Sequence, residues 1–286
     1  MGQKYELTDE TKPLEDGRVL YRIKALMDFG DVKNGDLGGW IEREFNLSQN
    51  GDCWVGGDAK VYGNAWVFDN ALVCDNAQVG GYAHVCGDAR VFGNAKVYGN
   101  THVYNEACVY GDALVHDNVC VAGNARVYGD VCVYGNAHVY GGARVYGNAV
   151  IYGDARVCGT AVVEGDAWVH GDAQVYGNAQ VYGNARVGGD ARVWGTAVVE
   201  GKADIFGDAV VEKMGDYMVF QNTWSSGRWF TYTRSNGKWK VGCFHGTGEE
   251  LIAKAYADSK EKGRCYEKIV NLVNSLCEEQ QTLAAK

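Results

Sequence analysis

From Gly51 onward the apolar residues of this chain fall on a period of six. The fifth residue of each hexad, from Val55 to Val211, is Val except at Ile151 and Ile205, and the third is Ala except at Cys53, Thr101, Val119 and Val131. Two apolar positions flanking a more variable one form the inward side of a short strand, with the residues between and after them facing out. The first position is Gly except at Asp69, Asp75, Asn105 and Asp117, and the second is mostly Asn or Asp. These residues tolerate positive φ, so each hexad closes in a sharp corner. The register holds without insertion or deletion through 27 hexads, residues 51–212.

A strand this short cannot bury its apolar side alone. Three strands meeting at corners make a triangular coil of 18 residues, and identical coils stack, so 27 hexads predict a mainly β fold: a parallel β-helix of nine coils. At the strand spacing of about 4.8 Å the column is about 43 Å long. Each interior Val contributes roughly 1.5–3 kcal/mol when fully buried. Collagen is excluded by the period and by a single proline, Pro13, and a leucine-rich repeat by the shortness of the repeat.

The flanks are aperiodic. Residues 1–50 predict an N-terminal β cap, with short strands at KYEL and VLYRIKAL, and with Trp40 or Phe45 as a plug for the first coil, since an open solenoid end exposes unpaired backbone groups. Residues 213–286 predict a small α+β module. Trp229–Arg234 and Lys238–Phe244 flank the turn residues Ser235, Asn236 and Gly237, a hairpin signal. Thr247 and Glu250 form a capping box that opens a helix to about Ser259, and a second helix is expected from about Cys265.

The alternation of Ala59/Val61, Ala65/Val67 and their successors resembles the hexapeptide-repeat family. That resemblance implies a left-handed β-helix, although the usual Tyr after the aliphatic residue departs from the family's frequent Gly, and bactofilin-like filaments use a similar spacing in a right-handed solenoid. The segment FGDVKNGDLGGWI is similar to the start of hexapeptide-repeat proteins carried by bacteriophages and prophages. The stretch from Ser225 to Tyr256 is similar to a C-terminal domain of unknown function found in phage proteins. Acyl transfer is the activity this family implies, with a surface histidine as base and acyl-CoA lying between columns.

Charge narrows the partners. The chain carries −9, and residues 51–212 hold 9 Lys and Arg against 18 Asp and Glu while the flanks are neutral. An acidic column argues against direct non-specific nucleic-acid binding, which needs basic surface. No apolar run is long enough for a membrane span and the N-terminus lacks the apolar core of a signal peptide, so the expected location is cytoplasmic, in a bacterial host cell. Ten scattered cysteines without a CxxC pair read as reduced thiols.

Residues 18 apart stack, which brings candidate chemistry into columns. One runs Trp66, His84, His102, Cys120, His138, Arg156. His84, His102 and His138 are the candidate bases if the chain transfers acyl groups, yet no neighbouring motif or looped-out insertion shapes an acceptor site around them. A flat ladder lacks tetrahedral geometry, so no metal is expected there. Phe92, Tyr110, Tyr128 and Tyr146 form an aromatic strip, and Tyr134 pairs with Tyr152; such strips seat a ligand or a partner, or simply stabilise the ladder. Asp154, Asp172, Asp190 and Asp208 stack along a corner, and His245, Gly246 and Thr247 precede a helix. The expectation is a non-catalytic binding or scaffold protein without cofactor that captures or inhibits a host bacterial protein and self-associates as a dimer or trimer. The alternative is an acyltransferase using acyl-CoA.

Overall fold

The computed structural model describes residues 2–284. Strands β1 (Tyr5–Pro13), β2 (Val19–Ala25) and β3 (Leu37–Ile41) are followed by 27 short strands, β4 (Trp54–Val55) through β30 (Val210–Val211). The module after them contains β31 (Tyr217–Gln221), β32 (Trp229–Thr233), β33 (Lys238–Val241), β34 (Phe244–Thr247), α1 (Gly248–Asp258) and α2 (Lys260–Ala284). The solenoid strands sort by threes into three parallel sheets, and each pairs with the strand one coil away in a shift of 18 residues, as in Arg90 with Cys108 and Val91 with Val109. The sequence period and the observed register therefore agree.

The interior is the Ala/Val pair of each hexad. Val55 through Val211 at the fifth position are all fully buried, forming one continuous core with the alanines. The corners obey the expected rule: among the described residues, the non-glycine positions with positive φ are Asp69, Asp75, Asn105 and Asp117, which stand where a hexad lacks its glycine. Three of them carry a compensating bond, because Asp69, Asp75 and Asp117 accept the N–H of Gly87, Gly93 and Gly135 in the next coil at 3.2, 2.9 and 3.0 Å. A Cβ on Gly135 would lie 2.9 Å from the Gly153 nitrogen, so the glycine above is needed for close stacking as well as for its φ. Beside the corners, amides pass hydrogen bonds up the column, from Asn100 to Asn118, to Asn136, to Asp154 at 2.9–3.0 Å.

The N-terminal segment is built into the column. β1 and β2 pair antiparallel, β2 pairs antiparallel with β3, and β3 joins the first sheet in parallel, with Ile41 opposite Val61. Ile41 and Leu47 fill the aliphatic positions of a further, irregular turn, with Leu47 bridged to Val67. Trp40 does not plug the end. It lies outward on the first sheet, buried against Leu20 and Tyr62, donates to Asp58 at 3.2 Å, and carries Lys12 and Arg22 over its ring. Phe45 is exposed and stacks on Trp66. The plug is Tyr5, fully buried with Ile23 and Ala25, its hydroxyl donating to the Leu47 carbonyl at 2.7 Å. An aromatic from the very start of the chain reaches this place because β1 folds back along β2.

The C-terminal module has its own core around Phe230, Trp239, Leu251 and Tyr266. Two expectations are corrected there. The strand predicted over Lys238–Phe244 is broken by Gly242 at φ +58, so that Phe244 begins a further antiparallel strand. The second helix starts at Lys260, not near Cys265; Gly263 sits inside it because the Tyr256 ring occupies the space a Cβ would need. The capping box is present, Thr247 accepting from the Glu250 N–H and Glu250 from the Thr247 N–H.

Candidate functional site

The column Phe92, Tyr110, Tyr128, Tyr146 forms a stack of parallel rings with centroids 4.7, 4.7 and 5.0 Å apart and interplanar angles of 3, 2 and 9°. All four are half-buried. Above Tyr146 the column continues as Glu164, Tyr182 and Glu200, with the Tyr182 hydroxyl donating to Glu200. The Tyr146 hydroxyl is pushed up to about 12 by its hydrogen bond to Glu164 and, less, by burial. Burial also raises Tyr110, with Tyr128 beside it adding to the effect.

Tyr134 and Tyr152 belong to a longer ladder than the tyrosines suggest. Rings run from His116 to Tyr134, Tyr152 and His170 at 5.4, 5.1 and 5.1 Å, each pair within 12° of parallel. The same 18-residue count that found Tyr134 and Tyr152 finds the two histidines. This column also holds Gly80 and Gly188, where a Cβ would strike the rings of Tyr62 and His170 at 2.6 and 2.2 Å, so a neighbouring ring covers each vacancy. Its ends are covered, Tyr62 by Leu20 and Trp40, and Phe206 by His245 at 5.3 Å. The Phe92 column meets the module at its upper end, where the Glu200 N–H donates to the Tyr217 hydroxyl at 3.3 Å.

The histidine column is placed as expected, with His84, His102, Cys120 and His138 in adjacent registered strands. His84 packs edge-on to Trp66 and His102, and burial together with His102 holds it below the usual histidine range. Cys120 contacts the Tyr104 hydroxyl at 3.4 Å. Among the described residues no group of three metal-binding side chains converges, in this column or along Asp154, Asp172, Asp190 and Asp208. Among the described residues none of His84, His102 or His138 touches a carboxylate; His116 does, its Nδ1 lying 3.1 Å from its sequence neighbour Asp117. At the module's helix start the N-terminal donor at Thr247 is already taken by Glu250. The described cysteines are free thiols. No helix among the described residues is long and apolar enough to cross a membrane.

A cleft that the repeat count does not reveal opens where the module overhangs the first sheet. Its volume is about 760 Å³. The floor is the registered row Trp168, Arg186, Asp204, and the walls come from Lys202 and from Arg228, Trp229, Lys240 and Lys254 of the module. Asp204 is the single carboxylate at the fourth position of any hexad, a signal present in the sequence. Burial raises its pKa, and the nearby Lys240 and Arg186 oppose that shift.

Comparison with known proteins meets this chain on its repeats. A family model described as the YdcK β-solenoid repeat matches residues 125–141, 143–159, 173–189 and 179–195. The chain is similar to the uncharacterized acetyltransferase YdcK of Escherichia coli (strain K12), at 43% identity over 60 residues, which is 18% of this chain and 18% of that protein. The matched stretch is thus under one fifth of the relative's length. Among solved structures it is similar to the UDP-N-acetylglucosamine acyltransferase from Campylobacter jejuni, at 16% identity and a TM-score of 0.37, covering 60% of this chain and 71% of that one. What the repeat matches and the observed registers share is a hexapeptide-repeat β-solenoid.

Proposed function

We propose that this chain is a rigid, non-catalytic binding column that receives a macromolecular partner along its outer faces, the partner being a host protein in a bacterial cell. The observation that supports this reading is the Phe92–Tyr110–Tyr128–Tyr146 ladder: four parallel, half-exposed, stacked rings on a column whose hexads run without insertion. Rings already stacked lose little side-chain freedom when a partner covers them, so their apolar edges are presented at low entropic cost. The same faces also suit self-association into a dimer or trimer. The test is an affinity capture from bacterial lysate with the wild type and a Tyr110→Ala/Tyr128→Ala variant, read by mass spectrometry. One protein recovered in stoichiometric amount by the wild type and lost with the variant is expected; equal recovery by both would remove the ladder from the reading.

A second reading, acyl transfer from acyl-CoA, is favoured by the local similarity to a relative named an acetyltransferase. It would use His84, His102 or His138 as base. A general base needs an orienting partner, and among the described residues these three have no carboxylate in contact. Turnover of acetyl-CoA that disappears in a His84→Ala, His102→Ala or His138→Ala variant would favour this reading over the first.

A further inference from the structure

The cleft between the column and the C-terminal module has a composition opposite to that of the chain. The whole carries −9, yet Arg186, Lys202, Arg228, Lys240 and Lys254 converge on this one concavity. Among the described residues none of the five lies within salt-bridge distance of a carboxylate, although other cations at the two ends of the column are so paired, as Lys12 is with Asp58 and Lys238 with Asp208; Lys202 donates to Asn184 at 3.0 Å, and Lys240 and Lys254 lie over the Phe206 and Phe244 rings. Of the three carboxylates that line the cleft, Asp258 is engaged by Lys262, Asp166 accepts from Asn148 at 3.0 Å, and Asp204 forms part of the floor, so the five cations still outnumber them. Cations held by neutral partners and not by carboxylates, in a concave, partly desolvated place, present a field suited to an anion of two or more charges.

The same cleft presents flat apolar surface. Trp168 and Trp229 are 37% and 40% exposed, and Arg186 lies 4.9 Å from the Trp168 ring centroid, so one wall offers both a ring and a guanidinium for stacking. Asp204 stands between the charged and aromatic parts. Its backbone N–H is taken by Thr231 at 2.9 Å, while no donor among the described residues bonds its carboxyl group. A half-buried carboxyl without a partner fits a ligand hydroxyl or amino group. The volume, about 760 Å³, falls in the roughly 300–1,000 Å³ span of small-molecule sites.

We infer that this cleft binds a nucleotide: phosphates against Lys202, Arg228, Lys240 and Lys254, the base stacked at Trp168 or Trp229, and a ribose or base hydrogen-bond donor on Asp204. The site is made by both parts of the chain, since the floor is solenoid and the basic wall is module. Its occupancy therefore also bridges the two. The inference is independent of the partner proposed for the tyrosine ladder, which lies on a different sheet.

The experiment is calorimetric titration of the full chain with ADP, and separately with pyrophosphate and with adenosine. The expected result is saturable 1:1 binding of ADP, at least tenfold tighter than either fragment, weakening as salt is raised. Lys240→Ala and a Lys202→Ala/Arg228→Ala variant should each lose about tenfold or more. Trp168→Leu should lose affinity for ADP while leaving pyrophosphate unchanged. Lys96→Ala, far along the same sheet, is the control and should bind as wild type. No saturable ADP binding at millimolar concentration would overturn the inference. So would pyrophosphate binding as tightly as ADP with no effect of Trp168→Leu, which would reduce the cleft to a diffuse basic patch. A circular-dichroism spectrum and melting curve for each variant separate lost binding from lost fold.

Discussion

The two ends of the column face opposite chemical problems. At the second, fourth and sixth positions of most hexads the backbone N–H donates to the coil that follows, as in His102 N–H to the Val119 carbonyl, while others, such as Gly87 N–H to the Asp69 carboxylate, turn back; the N-terminal end of the stack therefore presents mainly carbonyls and the C-terminal end mainly N–H groups. The N-terminal cover is accordingly made mainly of donors, with Glu42 as an acceptor for the Gly63 N–H at 2.6 Å. Backbone N–H groups of Trp40, Glu42 and Ser48 reach the carbonyls of Ala59, Val61 and Val67. Asn46 reaches Gly63 and Ala65, Arg43 also reaches Gly63, and the buried Lys4 ammonium reaches Gly51 and Cys53 at 3.1 and 2.9 Å. The C-terminal cover is made mainly of acceptors: Tyr217, Thr231, Ser235 and Asp216 oxygens receive the N–H groups of Glu200, Asp204, Val210 and Glu212, while the Tyr217 hydroxyl itself donates to the Val198 carbonyl at 3.1 Å. A stack of identical coils thus needs two different caps, because its backbone has a direction.

That contrast can be broken at several points. The largest effect is expected from Tyr5→Ala, which empties the plug and frees two acceptors; about 3–5 kcal/mol of stability should be lost, read as a reduced urea midpoint. Lys4→Met keeps the apolar stem and removes the donor, leaving two carbonyls unmet, so a loss of about 1–3 kcal/mol is expected by the same measurement. Should Lys4→Met prove neutral, the view that the N-terminal cap works by donating is wrong. At the other end, Thr231→Val preserves shape while removing the acceptor for the Asp204 N–H, and a smaller loss of about 1 kcal/mol should follow.

The ends also differ in their response to acid. The first histidine of the chain is His84, so the N-terminal cap contains none, whereas the C-terminal junction holds His245 against Phe206. Burial, and then the charges of Lys238 and Lys240, hold His245 below the usual histidine value, with Asp208 acting weakly the other way. The unfolded chain takes up a proton near pH 6.5 and the folded one resists it, so stability falls as pH drops through that value and levels once His245 is also protonated in the folded state. Melting temperature should therefore fall less between pH 7 and 5 for His245→Gln than for the wild type, with His84 and His170 supplying the remaining slope.

Much of this molecule was legible in its residues. The unbroken count of six set the strands, and the 18-residue coil set the register of Tyr110 on Tyr128 and His84 on His102. Even the four irregular corners were marked by Asp69, Asp75, Asn105 and Asp117. The ladders at Phe92 and at Tyr134 followed from counting alone. The histidines that extend the second ladder were equally countable, but at those positions the chain had not repeated an aromatic letter.

The sequence by itself determined the solenoid, because in a strictly periodic chain a local pattern and its contacts one coil away are the same information. The ends and the cleft were decided only by the tertiary structure, since neither flank repeats. Which aromatic plugs the column depended on β1 folding back to bring Tyr5, not Trp40 or Phe45, over the open coil. The meeting of Trp168, Arg186 and Asp204 with Lys240 and Lys254 depended on where the module's sheet docks on the last coil. Those contacts join segments tens of residues apart with no common period, and no spacing rule along the chain specifies them.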